Sequence, residues 1–300
     1  MVSVSCLLVM TKINNFPRIT IVTPSFNQGE YLEQTIQSVI GQDYPNLEYI
    51  VMDGGSTDNS VDIIRKYESH ISHWESGPDS GQANAINRGF ALATGDILAW
   101  LNSDDMYLPG VLDFVGKSFS AAGKDELLIF FANCIHLVEE TGKAFGSNVR
   151  HTSLVNDMEL YDYIVQPSCF WTKKTFEVVG ELSENLTYAF DWEWFLRAKN
   201  KGGEFVPLDK FLSIYRIHAG HKTSSGGLER IKEISEIYNE FCSYDVGEMY
   251  LKYHSDIKIK KLRTLISKLH FFGKIDVEKW IYRFFFREKE WRIFDQITKM

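Results

Sequence analysis

The sequence has no excess of positive charge, no paired-cysteine motif and no long apolar run, and each absence removes a class of protein. Lys and Arg number 32 against 40 Asp and Glu, a formal charge of −8. A general nucleic-acid binder, which needs a net basic surface, is therefore disfavoured. Cys6, Cys134, Cys169 and Cys242 lie far apart, and none is spaced Cys-x-x-Cys. They read as reduced, mostly buried thiols of a cytoplasmic protein rather than as zinc ligands. No apolar stretch reaches the roughly 18 residues that a spanning helix needs. A Gly-x-x-x-x-Gly-Lys-Ser/Thr loop is missing, which argues against ATP hydrolysis by that route. No Gly-x-Gly-x-x-Gly follows the first strand, which argues against a dinucleotide cofactor.

What is present is a folding composition, 44% apolar and 24% charged over 300 residues. That length suits one large domain, or one domain with an appendage. The charge is unevenly spread: residues 251–300 carry 13 Lys/Arg and 6 Asp/Glu. This basic end is interleaved with Phe271, Phe272, Trp280, Phe284, Phe285, Phe286 and Trp291. Residues 1–15 read as an N-terminal extension, with Met10 as an alternative start. No positive charge precedes their apolar stretch, which speaks against a secretory signal.

The apolar pattern alternates between short β-branched runs and helical spacing. Ile19–Thr23, Tyr49–Met52, Ile97–Leu101 and Leu127–Ala132 read as strands. Helices are predicted around Leu32–Ile40, Val61–Ile64, Ile86–Ala93 and Val111–Phe119. This alternation predicts an α/β fold with a doubly wound, mostly parallel sheet and helices on both faces. Ligands then bind beyond the carboxyl ends of the strands. After residue 132 the pattern changes to a hairpin near 135–145, strands at 164–172 and 211–217, and a helix at 192–199. Ser224–Gly227 reads as a linker, and residues 228–300 as helical.

Acidic residues stand where strands end. Asp53 follows the second strand, Asp104 and Asp105 follow the third, and Asp79 lies in a loop between them. Four carboxylates on one rim repel, and a divalent cation compensates most simply. Oxygen donors favour magnesium or manganese. A cation beside an acidic rim suits a diphosphate-bearing ligand. Asp58 reads as a helix cap.

These segments resemble glycosyltransferase family 2, an inverting family with the GT-A fold. The resemblance rests on Ile21-Val22-Thr23-Pro24-Ser25-Phe26-Asn27, Val51-Met52-Asp53-Gly54-Gly55-Ser56-Thr57-Asp58, Gly77-Pro78-Asp79-Ser80-Gly81 and Gly95-Asp96-Ile97 leading to Leu101-Asn102-Ser103-Asp104-Asp105. It covers roughly residues 17–220 and implies a catalytic domain over 16–224 with a helical, basic and aromatic region at 225–300. The resemblance implies that Thr23, Pro24, Ser25, Asn27, Asp53, Asp79 and Asp104 bind a nucleotide-sugar, UDP-linked by preference. It implies that Asp105, joined by His218, binds a divalent metal, manganese or magnesium. The sequence departs from the family where Gly54 and Asn102 stand in place of acids.

Inverting transfer needs a general base to accept the acceptor's proton. Tyr188-Ala189-Phe190-Asp191-Trp192-Glu193-Trp194 resembles the family's acidic motif and puts Asp191 in that role; an N-cap Asp is the plainer alternative. Glu193 reads as a supporting partner. Trp192 and Trp194 are open between core packing and stacking on sugar. Arg216 and Lys222 are candidate phosphate contacts, and Gln166-Pro167-Ser168 a wall of the acceptor site. The expected partners are a nucleotide-sugar donor and a glycan or lipid-linked acceptor, with no nucleic acid. The 251–300 region is open between peripheral contact with the inner membrane and packing on protein, in the same chain or as an oligomer. Two rival functions are a sugar-phosphate nucleotidyltransferase and a non-catalytic nucleotide-sugar binder. The first normally has a Gly-rich basic loop that Thr23–Asn27 lacks, and the acids at 104, 105 and 191 argue against the second.

Overall fold

Burial on both faces explains why the first strands are mostly apolar. In a computed structural model, which describes residues 16–122, 126–147, 158–160, 162–220, 222, 226–242, 244–257 and 261, β1 (Ile19–Ser25) is buried at all seven positions. Ile19 and Ile21 point into one apolar cluster, and Val22 points into the other. Ile50 and Val51 of β2 (Leu47–Asp53) divide in the same way. A strand covered on both faces has no polar side to alternate with.

β3 (His73–Ser76), β2, β1 and β4 (Ile97–Trp100) pair in parallel in that order. The crossovers contain α1 (Leu32–Ile40), α2 (Ser60–Lys66) and α3 (Gln82–Leu92). Leu32 and Ile36 of α1 and Ile64 of α2 cover one face, while Ile86 and Phe90 of α3 cover the other. Past β4 the sheet becomes mixed. β8 (Cys169–Thr172) runs antiparallel to β4, and β6 (Leu128–Val138) runs antiparallel to β8. β9 (Glu204–Ile217) is parallel to β6. β5 (Met106–Tyr107) closes the row against β9, and β7 (Lys143–Gly146) forms the expected hairpin with β6. The register of β6 on β9 shifts on both sides of Asn133, which bends this pair.

Several details differ from the sequence reading, among them the unforeseen β5 and the earlier start of β9 at Glu204 instead of 211. β3 was not foreseen, because His73-Trp74-Glu75-Ser76 is an edge strand with no fully buried position. The strand expected over 164–172 is shortened by a 3-10 turn at Gln166–Ser168, where Pro167 has no N–H for a ladder. α5 (Lys173–Val179), capped by the Thr172 hydroxyl, was also missed.

α4 (Val111–Ala122) and α6 (Phe190–Asn200) follow the predicted spacing. α7 (Gly227–Phe241) and α8 (Tyr244–Ser255) form a helical pair. Ile234, Ile237, Tyr238 and Val246 share one core with Trp192 and Phe195. Thus the start of the expected C-terminal region packs on the domain that carries α6. The 1–15 extension and most of the basic aromatic stretch lie outside the described residues. Among the described residues, no helix is long and apolar enough to cross a membrane.

Candidate functional site

A cavity of about 610 Å³ opens at the carboxyl ends of the parallel strands. Its lining includes Pro24, Ser25, Phe26, Asp79, Asp104 and Asp191. Five of the ten expected site residues therefore line one space: Pro24, Ser25, Asp79, Asp104 and Asp191. The Ser25 hydroxyl is buried and has no hydrogen-bond partner among the described residues, so a polar group waits at the cavity wall. Phe26, absent from the expected set, is 61% exposed there. The available signal in the sequence was an aromatic residue directly after the end of the first strand.

The other five expected residues, Thr23, Asn27, Asp53, Asp105 and His218, are not among the residues that line it. Thr23 is fully buried and its hydroxyl accepts a hydrogen bond from Tyr49. Asn27 has a left-handed backbone (φ 52°). Its carboxamide oxygen accepts the Thr57 N–H at 2.8 Å, and its own N–H donates to Ser56 Oγ at 2.7 Å. Asp53 accepts from the N–H groups of Gly55 and Ser56 and from the hydroxyls of Ser56 and Ser76. These contacts make Asp53 the organiser of the 54–56 turn. A side chain at Gly54 would strike the Asp79 carboxylate, because a Cβ there would lie 2.7 Å from Asp79 Oδ2. Glycine in place of the family's acid lets Asp79 come close.

Asp104 and Asp105 separate. The Asp104 carboxylate lies 3.1 Å from His218 Nε2. Asp105 is 1% exposed, and its carboxylate accepts the Arg216 N–H at 3.0 Å. Burial, followed by the charge of Asp104, pushes the Asp105 carboxyl well up. Asp104, not Asp105, thus presents its carboxylate to the cavity. Arg216 is 2% exposed and fully engaged. Its guanidinium donates to the Asp104 carbonyl, Glu139 and Gln34, and lies 4.8 Å from the Tyr31 ring. It braces the acidic turn and does not line the cavity.

Asp191 stands in the first turn of α6 and accepts the Trp192 N–H at 2.9 Å. Burial raises its carboxyl above the usual range, against the pull of the Trp192 N–H, Arg230 and Lys222. A raised carboxyl is a stronger proton acceptor. Lys222 lines the same cavity and donates to Gln82 at 2.9 Å. Gln82 in turn donates to Asn102 at 2.8 Å. Burial lowers the Lys222 pKa. Glu193 is tied to Arg197 in an ion pair within α6. Trp192 and Trp194 are buried, with their indole N–H groups on the Met158 and Gly180 carbonyls. Both are core residues. Gln166 and Ser168 are buried against Trp100 and Asn133 and lie off the cavity lining.

The donor set suits a cation that is only partly held by protein. Asp104 supplies an oxygen and His218 an imidazole nitrogen, side by side. Among the described residues no three His, Cys, Asp or Glu side chains form a metal cluster. Two protein donors leave positions for phosphate oxygens and water, as magnesium and manganese sites commonly do.

Comparison with known proteins bears on the family resemblance and on the fold. Residues 20–132 match the model of Glycosyl transferase family 2. An uncharacterised glycosyltransferase of Nostoc sp. is 33% identical over 114 residues, 35% of this chain and 34% of that protein. One from Mycobacterium tuberculosis is 40% identical over 109 residues, 36% of this chain and 42% of that protein. The matches thus span about a third to two-fifths of the length of these relatives. The chondroitin synthase of Pasteurella multocida is 24% identical over 278 residues, 85% of this chain and 28% of that protein. Two solved structures share the GT-A fold. TarS 1–349 of S. aureus with UDP-GlcNAc gives a TM-score of 0.59 at 16% identity, covering 93% of this chain and 79% of that one. The mannosyltransferase PcManGT of Pyrobaculum calidifontis, with GDP-Man and Mn2+, gives 0.59 at 14% identity, covering 90% and 80%.

Proposed function

We propose that this protein is an inverting glycosyltransferase that moves a sugar from a UDP-sugar to a hydroxyl of a glycan or lipid-linked acceptor, with Asp191 as the general base. The observation that carries this reading is that Asp79, Asp104 and Asp191 line one and the same cavity. Ser25 and Asp79 would hold the nucleoside, and Phe26 would cover the base. Asp104 and His218 would hold a divalent cation, which when bound neutralises charge on the diphosphate. Lys222, a cation on the same wall, would add to that neutralisation.

In the reaction the acceptor hydroxyl gives its proton to the Asp191 carboxylate. Its oxygen forms a bond to the anomeric carbon from the face opposite the nucleotide. The bond from that carbon to the phosphate oxygen breaks, and its electron pair leaves with the diphosphate. The raised Asp191 carboxyl suits the first transfer, and the cavity supplies proximity. With an α-linked donor the product is β-linked.

Thermal-shift titration with UDP, GDP, CDP and dTDP, with and without manganese, tests the donor assignment. UDP should give the largest manganese-dependent shift. Donor hydrolysis is then followed with UDP-glucose, UDP-galactose, UDP-N-acetylglucosamine and UDP-glucuronic acid, water serving as acceptor. Asp191→Asn should bind UDP normally yet lose turnover; full turnover in that variant removes it as base.

A further inference from the structure

The candidate base is held in place from a part of the chain outside the family match. The loop before α6 makes three consecutive N–H donations to one carboxylate. Thr187 and Tyr188 donate to Glu233 at 2.7 Å each, and Ala189 donates at 3.2 Å. Glu233 stands on α7, 44 to 46 residues further along the chain. No side chain at the N-cap of α6 does this work. Thr187 and Tyr188 also line the cavity, and so does Asp191, three residues after Tyr188.

The rest of α7 is built to keep Glu233 there. Trp192 meets Tyr238 edge-on at 5.3 Å between ring centres, and the Tyr238 hydroxyl donates to the Leu160 carbonyl at 2.9 Å. Gly226 lies so close to Tyr188 that a Cβ would come within 2.9 Å of its ring. The front of the same loop is pinned separately. Asn87 and Leu182 exchange two hydrogen bonds at 2.9 Å, and Glu184 accepts from Ser80, Asn84 and Asn87. The loop is thus gripped by α3 at its start and by Glu233 at its end. A carboxylate beside a helix N-terminus is also favoured by the helix dipole.

We propose that Glu233 is the positioning residue for Asp191: by accepting three successive backbone N–H groups it fixes the entry of α6, and with it the placement of the base against the acceptor hydroxyl. This rests on Asp191 being the base. Misplacement of a reacting group by about 1 Å lowers turnover by roughly 100-fold. The α7 helix is then a working part of the site and not only a prop for the core.

The test uses the full-length chain with Glu233→Ala, and Glu233→Gln as a variant of equal size. Hydrogen exchange reads the amides of 187–189, calorimetry reads UDP binding with manganese, and UDP release from UDP-N-acetylglucosamine, or from the panel donor that turns over faster, reads kcat and donor KM. In Glu233→Ala the three amides should exchange at least about tenfold faster. UDP affinity and donor KM should stay within about twofold, and kcat should fall by roughly 10- to 100-fold. Glu233→Gln, which keeps one accepting oxygen, should fall between the two. Unchanged exchange at 187–189, unchanged kcat in Glu233→Ala, or an equal loss of UDP binding and kcat would each overturn the proposal. Full turnover by Asp191→Asn would instead remove the base assignment, whatever Glu233 does.

Discussion

The Asp104 carboxylate and the His218 imidazole lie 3.1 Å apart although 114 residues separate them in the chain. The contact joins the turn after β4 to the end of β9. The Tyr31 ring packs on His218 at 4.5 Å and holds it toward Asp104. If these two side chains grip the cation, Asp104→Asn and His218→Ala should each weaken manganese-dependent UDP binding at least tenfold, about 1.4 kcal/mol. Calorimetry in manganese and in EDTA checks it. Wild-type affinity that is the same in both buffers would remove the cation from donor binding.

Asp105 and Arg216 lead to a different expectation. Arg216 donates to the Asp104 carbonyl through its side chain and to Asp105 through its backbone. Its other guanidinium nitrogens reach Glu139 and Gln34. A lysine cannot reproduce that fork. Arg216→Lys should therefore lower folding stability by about 1–3 kcal/mol, read as a drop in the urea midpoint. A direct diphosphate contact would show the reverse pattern, with normal stability and lost UDP binding.

Much of this site could be read before the fold was known, and the failures have physical causes. Asp191 was marked through the family resemblance, whereas Asp79 and Asp104 were legible because they stand in a loop and at a strand end. Parallel-sheet topology sends such positions to one rim. The division of labour between Asp104 and Asp105 was not legible. Neighbouring residues in a turn point to opposite sides, and only β9 shows which side is buried. Asp53 was marked for its position, yet the donors that occupy it are two backbone amides and two serines. Glu233 left no signal, since a Glu on an amphipathic helix reads as a solvated face. β3 left none either, because an exposed edge lacks the apolar run that marks buried strands.

Phe26 carries the third prediction. Its ring is 61% exposed at the cavity wall beside Ser25, an unusual place for a large apolar side chain without a ligand. Stacking of an aromatic on a nucleobase is worth about 1–3 kcal/mol. Phe26→Ala should weaken UDP binding by roughly 5- to 150-fold, and Phe26→Tyr should keep most of the affinity. Equal affinities of the alanine variant and the wild type would take the base away from this ring.

Glu48 sets the acid limit of the fold. It is 6% exposed, and its carboxylate accepts from Thr20 Oγ1 at 2.5 Å and from the Thr94 N–H and hydroxyl at 2.7 Å. Arg18 pairs with it at 2.9 Å. Together these groups tie β1 and β2 to the turn before β4. Burial alone would push the Glu48 carboxyl up, but the Thr20 and Thr94 hydrogen bonds and the Arg18 charge outweigh it and hold it below its ordinary value. The folded chain therefore binds this proton more weakly than the unfolded chain does. The resulting stability is fully present above the unfolded value of about 4.3 and is lost as pH falls through the lower folded value. Glu48→Gln should cost about 1–3 kcal/mol at neutral pH, measured from urea midpoints. The gap to wild type should be the same at about pH 7 and pH 5.5 and should narrow as pH falls below about 4. A gap that holds its full size at about pH 3 would mean that the carboxylate charge contributes nothing there, and that Glu48 acts through its shape alone.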